Sequence, residues 1–326
     1  GETFFAMGSA PKRGKIEFKE GQTYSLVIEY KWEGRFPAVQ IGMQAPDQHD
    51  LMEEATSLAK EADAVILIVG TNSDWETEGN DRTSLDLPSN QDELIEKVCN
   101  LNKNTIVVLN TGSPCEMPWV DKANSILQCW FPGQEFGNSL SDVLFGEVNP
   151  SGKLPTTFPK NLSDTPAYST YPGKDLQMDY EEGLFIGYRW YDREEIEPLF
   201  AFGHGLSYTT FDYSNLRAVP PKGTSSVAAF ELDITNSGDV FGKEIVQGYV
   251  KVSESKIDRP IKELKKFEKV SLEPGESKKI TFELTERDLS FWSETNQSWQ
   301  VEPAEYIFEV GASAIDIRES TSVWLG

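Results

Sequence analysis

Residues 64–70 read AVILIVG, and they decide the fold together with the acidic loop that follows them, residues 71–82, which reads TNSDWETEGNDR. A short continuous apolar run of this kind is typical of a strand buried on both faces of a parallel sheet. Acidic and Gly-containing loops directly after such strands are where the active sites of α/β folds collect. We therefore expect a buried strand that ends at a candidate active site.

The sequence around this strand alternates between helical and strand patterns. Apolar residues recur at helical spacing in residues 50–62 and 92–101, and a third helix is predicted for residues 135–145. Further apolar runs at residues 105–110 and 125–130 are typical of buried strands. This alternation predicts a parallel sheet that is covered by helices on both faces.

The predicted fold class is α/β plus all-β, in three parts. Residues 47–210 are predicted to form an α/β sandwich domain, in which residues 146–210 form a long ordered arm rich in Pro, Gly and aromatic residues. Residues 211–326 show short alternating strands separated by turns, which indicates an immunoglobulin-like β-sandwich. Residues 1–46 are also strand-like, with predicted strands at 16–19, 24–30 and 39–42. Three strands make a poor domain alone, so we expect these to be the end of a larger β-domain.

Composition excludes several classes of function. The 326 residues carry a net charge of −23, from 53 acidic and 30 basic residues, which argues against nucleic-acid or anionic-membrane binding and fits a neutral ligand. No apolar run approaches the roughly 18 residues of a spanning helix. Cys99, Cys115 and Cys129 lie in apolar surroundings and are expected to be buried free thiols. They lack metal-ligand spacing, so neither a metal nor a cofactor is expected. The cellular location stays open, with free cysteines favouring the cytoplasm over secretion.

Six blocks of sequence, in the same order, resemble those of glycoside hydrolase family 3. They are residues 70–91, 110–119, 130–138, 149–155, 180–191 and 200–208. Residues 211–326 resemble, more loosely, the fibronectin type III-like domain of that family. Residues 1–46 resemble the last strands of a PA14 domain, which some members carry as an insertion in the α/β domain.

The resemblance implies a retaining β-glucosidase, which hydrolyses terminal non-reducing β-D-glucosyl residues of a β-glucoside or oligosaccharide. In the family, the Glu before Gly-x-Asp-Arg is the acid/base, which gives that role to Glu78, with Glu76 as its competitor in the same loop. Trp75 is expected either to line the sugar-binding mouth or to pack behind the loop. Asp81 and Arg82 are expected to support the loop through a charged network. From spacing alone, without the resemblance, a solvated acidic loop that caps the next helix is the favoured explanation of Glu78.

Glycoside hydrolysis needs a second carboxylate, and the resemblance implies that it lies outside this chain. The family's nucleophile is an Asp on an N-terminal (β/α)8 barrel, a fold of about 250 residues. We therefore expect the chain to be a C-terminal portion that begins inside the PA14 insertion and works with the barrel portion as a separate chain or piece. Association with further copies of the chain stays open.

Two alternative functions remain at this point. Another family 3 specificity, such as β-xylosidase, is one, because the barrel forms most of the pocket that selects the C5 substituent. A non-catalytic carbohydrate-binding or adhesion module, built of PA14-like and fibronectin-like parts, is the other. The intact loop around Glu78 argues against such a module.

Overall fold

The structure is a computed structural model, and it describes residues 14–31, 39, 41–43, 50–78 and 81–326. The α-helices are α1 (Leu51–Glu61), α2 (Gln91–Leu101), α3 (Phe136–Leu144), α4 (Tyr188–Arg193) and α5 (Glu286–Leu289), with 3-10 turns at Val120–Lys122 and Leu162–Asp164. The strands are β1 (Val65–Gly70), β2 (Thr105–Asn110), β3 (Ser125–Gln128), β4 (Phe211–Val219), β5 (Ser226–Asn236), β6 (Gly242–Val252), β7 (Glu263–Leu272), β8 (Ser277–Thr285), β9 (Phe291–Ser293), β10 (Ser298–Gln300), β11 (Ala304–Gly311) and β12 (Ile317–Leu325). Within these described ranges, no helix is both long enough and apolar enough to cross a bilayer.

The first domain contains a three-stranded parallel sheet in the order β1-β2-β3. One face of the sheet is apolar and closed. On that face, Val69, Val107 and Leu109 pack with Ile95 and Cys99 of α2 in one buried cluster. The prediction of an α/β domain with parallel strands is therefore confirmed. Because the strands are parallel, the carboxyl ends of β1, β2 and β3 lie at the same edge of the sheet, and the loop after β1 starts from that edge.

The opposite face of β1 is open, so the prediction of a sheet covered on both faces is wrong for this strand. Ile66 is 48% exposed and Ile68 is 53% exposed. The helix before β1 does not cover them, because α1 lies beside α2, where Asn102 Nδ2 donates to the carbonyl oxygens of Ala59 (2.9 Å) and Ala62 (2.7 Å). Nothing else in the described ranges lies over these two isoleucines, and they remain an uncovered apolar patch on the edge strand.

The second domain is an antiparallel β-sandwich. One sheet has the order β12-β11-β6-β7 and the other has the order β4-β5-β8, while β9 and β10 form a small separate hairpin. The two large sheets enclose an apolar core in which the rings of Phe230 and Phe308 stack at 4.2 Å, with Phe282 beside them. This confirms the prediction of an immunoglobulin-like β-sandwich in the second part of the chain.

The described residues near the N-terminus are not strands. Residues 14–31 contain the predicted turn at Glu20 and Gly21, closed by a hydrogen bond from Gln22 N to Lys19 O (3.2 Å). The flanking segments are exposed and belong to no strand, so the strands predicted at 16–19 and 24–30 are wrong. A strand needs a hydrogen-bonded neighbour, and here the turn is held instead by the Tyr24 hydroxyl, which accepts from Lys19 N. The third predicted strand, residues 39–42, lies partly outside the described residues, and the PA14-like origin of residues 1–46 stays a prediction.

The arm, residues 146–210, joins the two domains through buried polar contacts. Gln247 on β6 donates to the carbonyl oxygens of Gly203 in the arm (3.1 Å) and of Ala312 (2.8 Å), and its own oxygen accepts from the Tyr249 hydroxyl (2.7 Å). The buried pair Lys153–Glu244, at 3.0 Å, crosses the same junction. Because these groups have their partners across the junction, the arm is fixed to the sandwich rather than loosely tethered.

We expect Gln247→Leu to destabilise the protein, because two buried carbonyl groups and the Tyr249 hydroxyl would lose their partner. An unsatisfied buried polar group costs about 1 to 3 kcal/mol, so we expect a loss of about 2 to 4 kcal/mol in the free energy of unfolding. Urea unfolding followed by tryptophan fluorescence measures it. The matched control is Gln134→Leu, at an exposed position of the first domain. A loss below about 0.5 kcal/mol for Gln247→Leu, as for an ordinary surface change, would contradict this description of the junction.

Candidate active site

The site begins where β1 ends, at Gly70. A Cβ atom at this position would lie 2.1 Å from the carbonyl oxygen of Asn110 on β2, so only glycine allows the two strand ends to approach this closely. The side-chain amide of Gln91 closes the edge: its oxygen accepts from Gly70 N (2.7 Å) and its nitrogen donates to Gly70 O (2.9 Å). The first turn of α2 therefore fixes the point from which the loop leaves the sheet.

Glu76 ties the first half of the loop to the ends of β1 and β2. Its Oε1 accepts hydrogen bonds from the hydroxyl of Thr71 (2.5 Å) and from the backbone N–H of Gly112 (3.1 Å). A Cβ atom on Gly112 would lie 2.5 Å from Glu76 Oε2, so a side chain at this position would have to displace the Glu76 carboxylate. A turn supports this arrangement, because the N–H groups of Trp75 and Glu76 both donate to Asn72 O. The Glu76 carboxylate is thus occupied in holding the loop.

Glu78 lies at the exposed crest of the same loop. Within the described residues it forms no hydrogen bond and no ion pair, in contrast to Glu76. The two residues that follow it, Gly79 and Asn80, lie outside the described residues. Among the residues that the structure describes, its carboxylate is therefore without a partner, in the loop that leaves the end of β1.

A cleft of about 310 Å³ lies beside Glu78. It brings together three of the predicted site residues, Trp75, Asp81 and Arg82, whereas Glu78 is not part of its lining. Its remaining lining residues are Glu76, Thr77, Ser113 and Tyr171. Ligand-binding sites commonly combine an aromatic surface with a few polar groups. Here the Trp75 indole lies beside carboxylate, guanidinium and hydroxyl groups. This lining suits a ligand that is apolar on one face and carries hydroxyl groups at its edge.

Asp81 and Arg82 support the loop, but not as the charged network that was expected. Asp81 Oδ1 accepts a hydrogen bond from the hydroxyl of Tyr171, and Arg82 Nη1 donates to Ser113 Oγ at 2.6 Å. Both partners are neutral hydroxyl groups, and the described residues show no ion pair between Asp81 and Arg82. The charged network is wrong because the two side chains diverge, one toward the arm and the other toward the segment after β2.

Sequence reasoning missed Ser113 and Tyr171. Ser113 lies in one of the six blocks, in the residues after β2, so its place near the end of β1 follows from parallel pairing. Tyr171 lies 90 positions after Asp81 in the sequence, in a part of the arm that no block includes. No local pattern indicates that it reaches the loop.

Several hydrogen-bond donors at the cleft lack an acceptor. Trp75 Nε1, Arg82 Nε and Arg82 Nη2 are shielded from solvent and have no partner in the described residues. An unpaired buried donor costs about 1 to 3 kcal/mol, and more when it is charged. Such groups are suited to the oxygen atoms of a ligand or of another protein segment. The unpaired donors therefore make the cleft a candidate ligand-binding site.

The described residues give little support to thiol or metal chemistry at this site. Cys115 lies beneath the loop, and burial raises the pKa of its thiol to about 12, so the thiol stays protonated and inert. In the described ranges, no group of three His, Cys, Asp or Glu side chains is arranged to hold a metal ion. The carboxylates of the loop remain as the groups suited to proton transfer.

Comparison with sequence families gives two matches. Residues 14–208 match the Glycosyl hydrolase family 3 C-terminal domain, and residues 244–314 match the Fibronectin type III-like domain. The first match includes every predicted site residue, and it extends over residues 14–31, which were predicted to be PA14-like.

Known proteins of similar sequence and structure are much longer than this chain. Thermostable beta-glucosidase B of Acetivibrio thermocellus is 48% identical over 276 residues, which are 84% of this chain and 36% of that protein. A crystal structure of beta-glucosidase from Kluyveromyces marxianus in complex with glucose superposes with a TM-score of 0.81 at 40% identity, over 87% of this chain and 34% of that chain. A GH3 beta-glucosidase from Bifidobacterium adolescentis gives a TM-score of 0.81 at 42% identity, over 86% of this chain and 42% of that chain. With matches in sequence, fold and domain order, the chain belongs to glycoside hydrolase family 3.

Proposed function

We propose that this chain carries the acid/base half of a retaining β-glucosidase active site, with Glu78 as the acid/base residue. The observation that carries the proposal is the state of the Glu78 carboxylate, which is exposed and has no partner among the described residues, in a loop that Glu76 and Arg82 anchor on either side. A residue that must exchange a proton with substrate needs a carboxylate free of structural partners. The names of the relatives reported above, all of them beta-glucosidases, support the glucoside as substrate.

The contrast between the two glutamates of the loop supports Glu78 over Glu76. The Glu76 carboxylate accepts from Thr71 and from Gly112, and it lies against the end of the sheet. A carboxylate that accepts two hydrogen bonds from the loop framework is held in place by them, whereas a general acid must be able to reach the oxygen atom that it protonates. Glu76 is thus suited to positioning the loop and poorly suited to protonating a leaving group.

The nucleophile in this proposal is an Asp of an N-terminal (β/α)8 barrel portion. In retaining glycosidases the two carboxyl groups lie about 5 to 5.5 Å apart, on either side of the sugar. Within the described residues Glu78 faces solvent, and a covering surface is needed both to complete the pair and to desolvate the acid. Ile66 and Ile68 are exposed on the open face of β1, which supports the proposal that another protein surface packs against this domain.

We likewise propose that residues 1–46, 47–210 and 211–326 are separate structural parts.

The proposed reaction has two steps. In the first, Glu78 donates a proton to the departing aglycone oxygen while the barrel Asp forms a covalent bond to the anomeric carbon. In the second, the Glu78 carboxylate removes a proton from a water molecule, which attacks the same carbon and releases glucose with retained configuration. Trp75 provides an apolar wall at the cleft beside the loop, where the unpaired donors of Trp75 and Arg82 suit sugar hydroxyl groups.

We expect Glu78→Gln, in the full-length protein, to abolish turnover of glucosides with poor leaving groups and to spare part of the first step on activated aryl glucosides. The physical reason is that an activated aryl oxide departs without a proton, whereas an alkoxide does not. Loss of a general acid typically lowers the rate about 10²- to 10⁴-fold. Measuring kcat/KM against leaving-group pKa for alkyl and aryl β-glucosides tests this. Equal losses on both substrate types would contradict the role of Glu78.

Two companion variants sharpen this test. Glu54→Gln, on the exposed surface of α1, is the matched control and is expected to behave as wild type. Glu76→Gln is expected to lower the rates on activated and unactivated substrates by a similar factor, because it loosens the loop anchors without removing the acid. A leaving-group dependence for Glu76→Gln that is as strong as for Glu78→Gln would assign the acid role to Glu76 instead.

We expect the double variant Ile66→Ser/Ile68→Ser to weaken association of this chain with the N-terminal portion when the two are expressed as separate pieces. Burying an isoleucine side chain contributes about 1.5 to 3 kcal/mol, so two half-exposed isoleucines predict about a tenfold or larger rise in Kd. Titration of one purified piece with the other, by calorimetry or light scattering, measures it. The control is Ile315→Ser, which is at least as exposed but lies on the second domain. An unchanged Kd for the double variant would show that this face of β1 is not the contact.

A further inference from the structure

Tyr171, in the arm, is attached to the loop that carries Glu78. Its hydroxyl donates to Asp81 Oδ1, and both side chains line the cleft. The hydrogen bond to Asp81 raises the pKa of Tyr171, so the phenol keeps its proton at neutral pH and remains a donor. Nothing in the family matches or in the function proposed above gives this residue a role.

The hydrogen bond between Tyr171 and Asp81 holds the loop at a point close to Glu78 in the sequence. Glu76 is fixed on one side by Thr71 and Gly112, and Arg82 is fixed on the other by Ser113. Asp81 is three residues after Glu78, and among the described residues its bond to Tyr171 is the first side-chain anchor that follows Glu78 in the sequence. Glu78 therefore lies, in the sequence of the loop, between the Glu76 anchor and the Asp81 anchor.

Tyr171 is itself held by the rest of the arm. Its backbone N–H donates to Ala167 O (2.8 Å), which closes the turn that follows Asp164. The carbonyl of Asp164 accepts from the indole N–H of Trp190 on α4 (3.2 Å). The position of Tyr171 is thus set by a short turn whose start is attached to α4.

Helix α4 is in turn fixed to the β-sandwich. The Tyr188 hydroxyl accepts from the backbone N–H of Leu264 (2.8 Å), and Asp192 pairs with Lys262 Nζ at 2.8 Å. The Tyr188 ring packs against Phe202 and Tyr249. A continuous set of contacts therefore runs from the sandwich through α4 and the turn to Tyr171, and then to the loop.

We infer that Tyr171 is a positioning residue for the acid/base, which holds the Asp81 side of the loop in place and thereby couples the fibronectin type III-like domain to the orientation of Glu78. This inference rests on the proposed function of Glu78. Tyr171 acts through Asp81 and need not touch the substrate. It also gives the second domain a mechanical role in a reaction whose chemistry lies on the first.

The structural part of the inference is tested with Tyr171→Phe in the full-length protein, using trypsin as the probe. Arg82 is a poor tryptic site while Nε and Nη2 of its guanidinium are shielded from solvent. Losing the Tyr171 bond frees the loop beside Arg82, so we expect cleavage between Arg82 and Thr83 to accelerate about threefold to tenfold. Mass spectrometry identifies the fragment that begins at Thr83. The matched control is Tyr168→Phe, since Tyr168 is exposed in the same turn and its hydroxyl has no partner in the described residues.

The functional part is tested by the leaving-group dependence of the same variants. Tyr171→Phe is expected to lower kcat/KM about threefold to tenfold for alkyl β-glucosides and to change it little for activated aryl β-glucosides, because a displaced acid harms only the substrates that need a proton. Asp81→Asn keeps an acceptor for the tyrosine and is expected to give a weaker form of the same pattern. Adding Tyr171→Phe to Asp81→Asn is then expected to have a smaller effect than it has alone, which shows that the two residues act as one unit.

The outcomes separate this inference from the proposed function. Unchanged cleavage after Arg82 in Tyr171→Phe overturns the inference, whatever the activity. Faster cleavage with wild-type leaving-group dependence also overturns it, provided that Glu78→Gln shows the expected dependence. If Glu78→Gln itself lacks that dependence, the proposed acid/base is wrong, and the inference that rests on it is overturned as well.

Discussion

The close approach of Gly70 to the end of β2 is the constraint on which the site depends. The Asn110 carbonyl occupies the space where any side chain at residue 70 would begin, and Gln91 supplies the missing neighbour on the open edge of β1. This geometry brings the loop after β1 beside the segment after β2, so that Glu76 reaches Gly112 and Arg82 reaches Ser113. The sheet thus provides a rigid base, and the loop extends from it with its acidic crest toward solvent.

The two glutamates of the loop show how position divides roles between chemically identical groups. Glu76 is partly buried and bonded to two donors, which makes it part of the framework. Glu78, two residues later, has no partner among the described residues and is accessible. The second domain contributes to the same arrangement from a distance, because α4 and the arm connect its sheet to Asp81. In this account the β-sandwich is a support for the site rather than an appended module.

Much of this could be predicted from the sequence. The buried strands β1 and β2 are continuous apolar runs, and the six sequence blocks in order identify the family. The contact between Tyr171 and Asp81 could not be predicted, because it depends on how a long irregular arm returns to the loop. The sequence pattern likewise predicts the second domain as a sandwich of short strands without locating β4, β7, β9, β10 or β12. The sequence of β7, ELKKFEKVSL, is rich in lysine, and only its pairing with β6 shows which of its residues face the core.

The errors also have physical causes. Alternation of strands and helices predicts which layers exist, but it does not predict which face of β1 a given helix covers, and α1 lies beside α2 instead. Alternating residues near the N-terminus have the composition of strands, yet a strand forms only where a neighbour accepts its hydrogen bonds. Adjacent opposite charges at residues 81 and 82 suggested a network, whereas successive side chains diverge and find hydroxyl groups on separate segments.

The proposed role of Glu78 as the acid/base of a retaining reaction can be tested by chemical rescue. In a full-length Glu78→Ala variant supplied with an activated aryl β-glucoside, azide needs no general base and can attack the covalent intermediate in place of water. We expect azide to restore turnover and NMR of the product to show β-glucosyl azide, with the configuration retained. No acceleration by azide, or an α-glucosyl azide product, would contradict it.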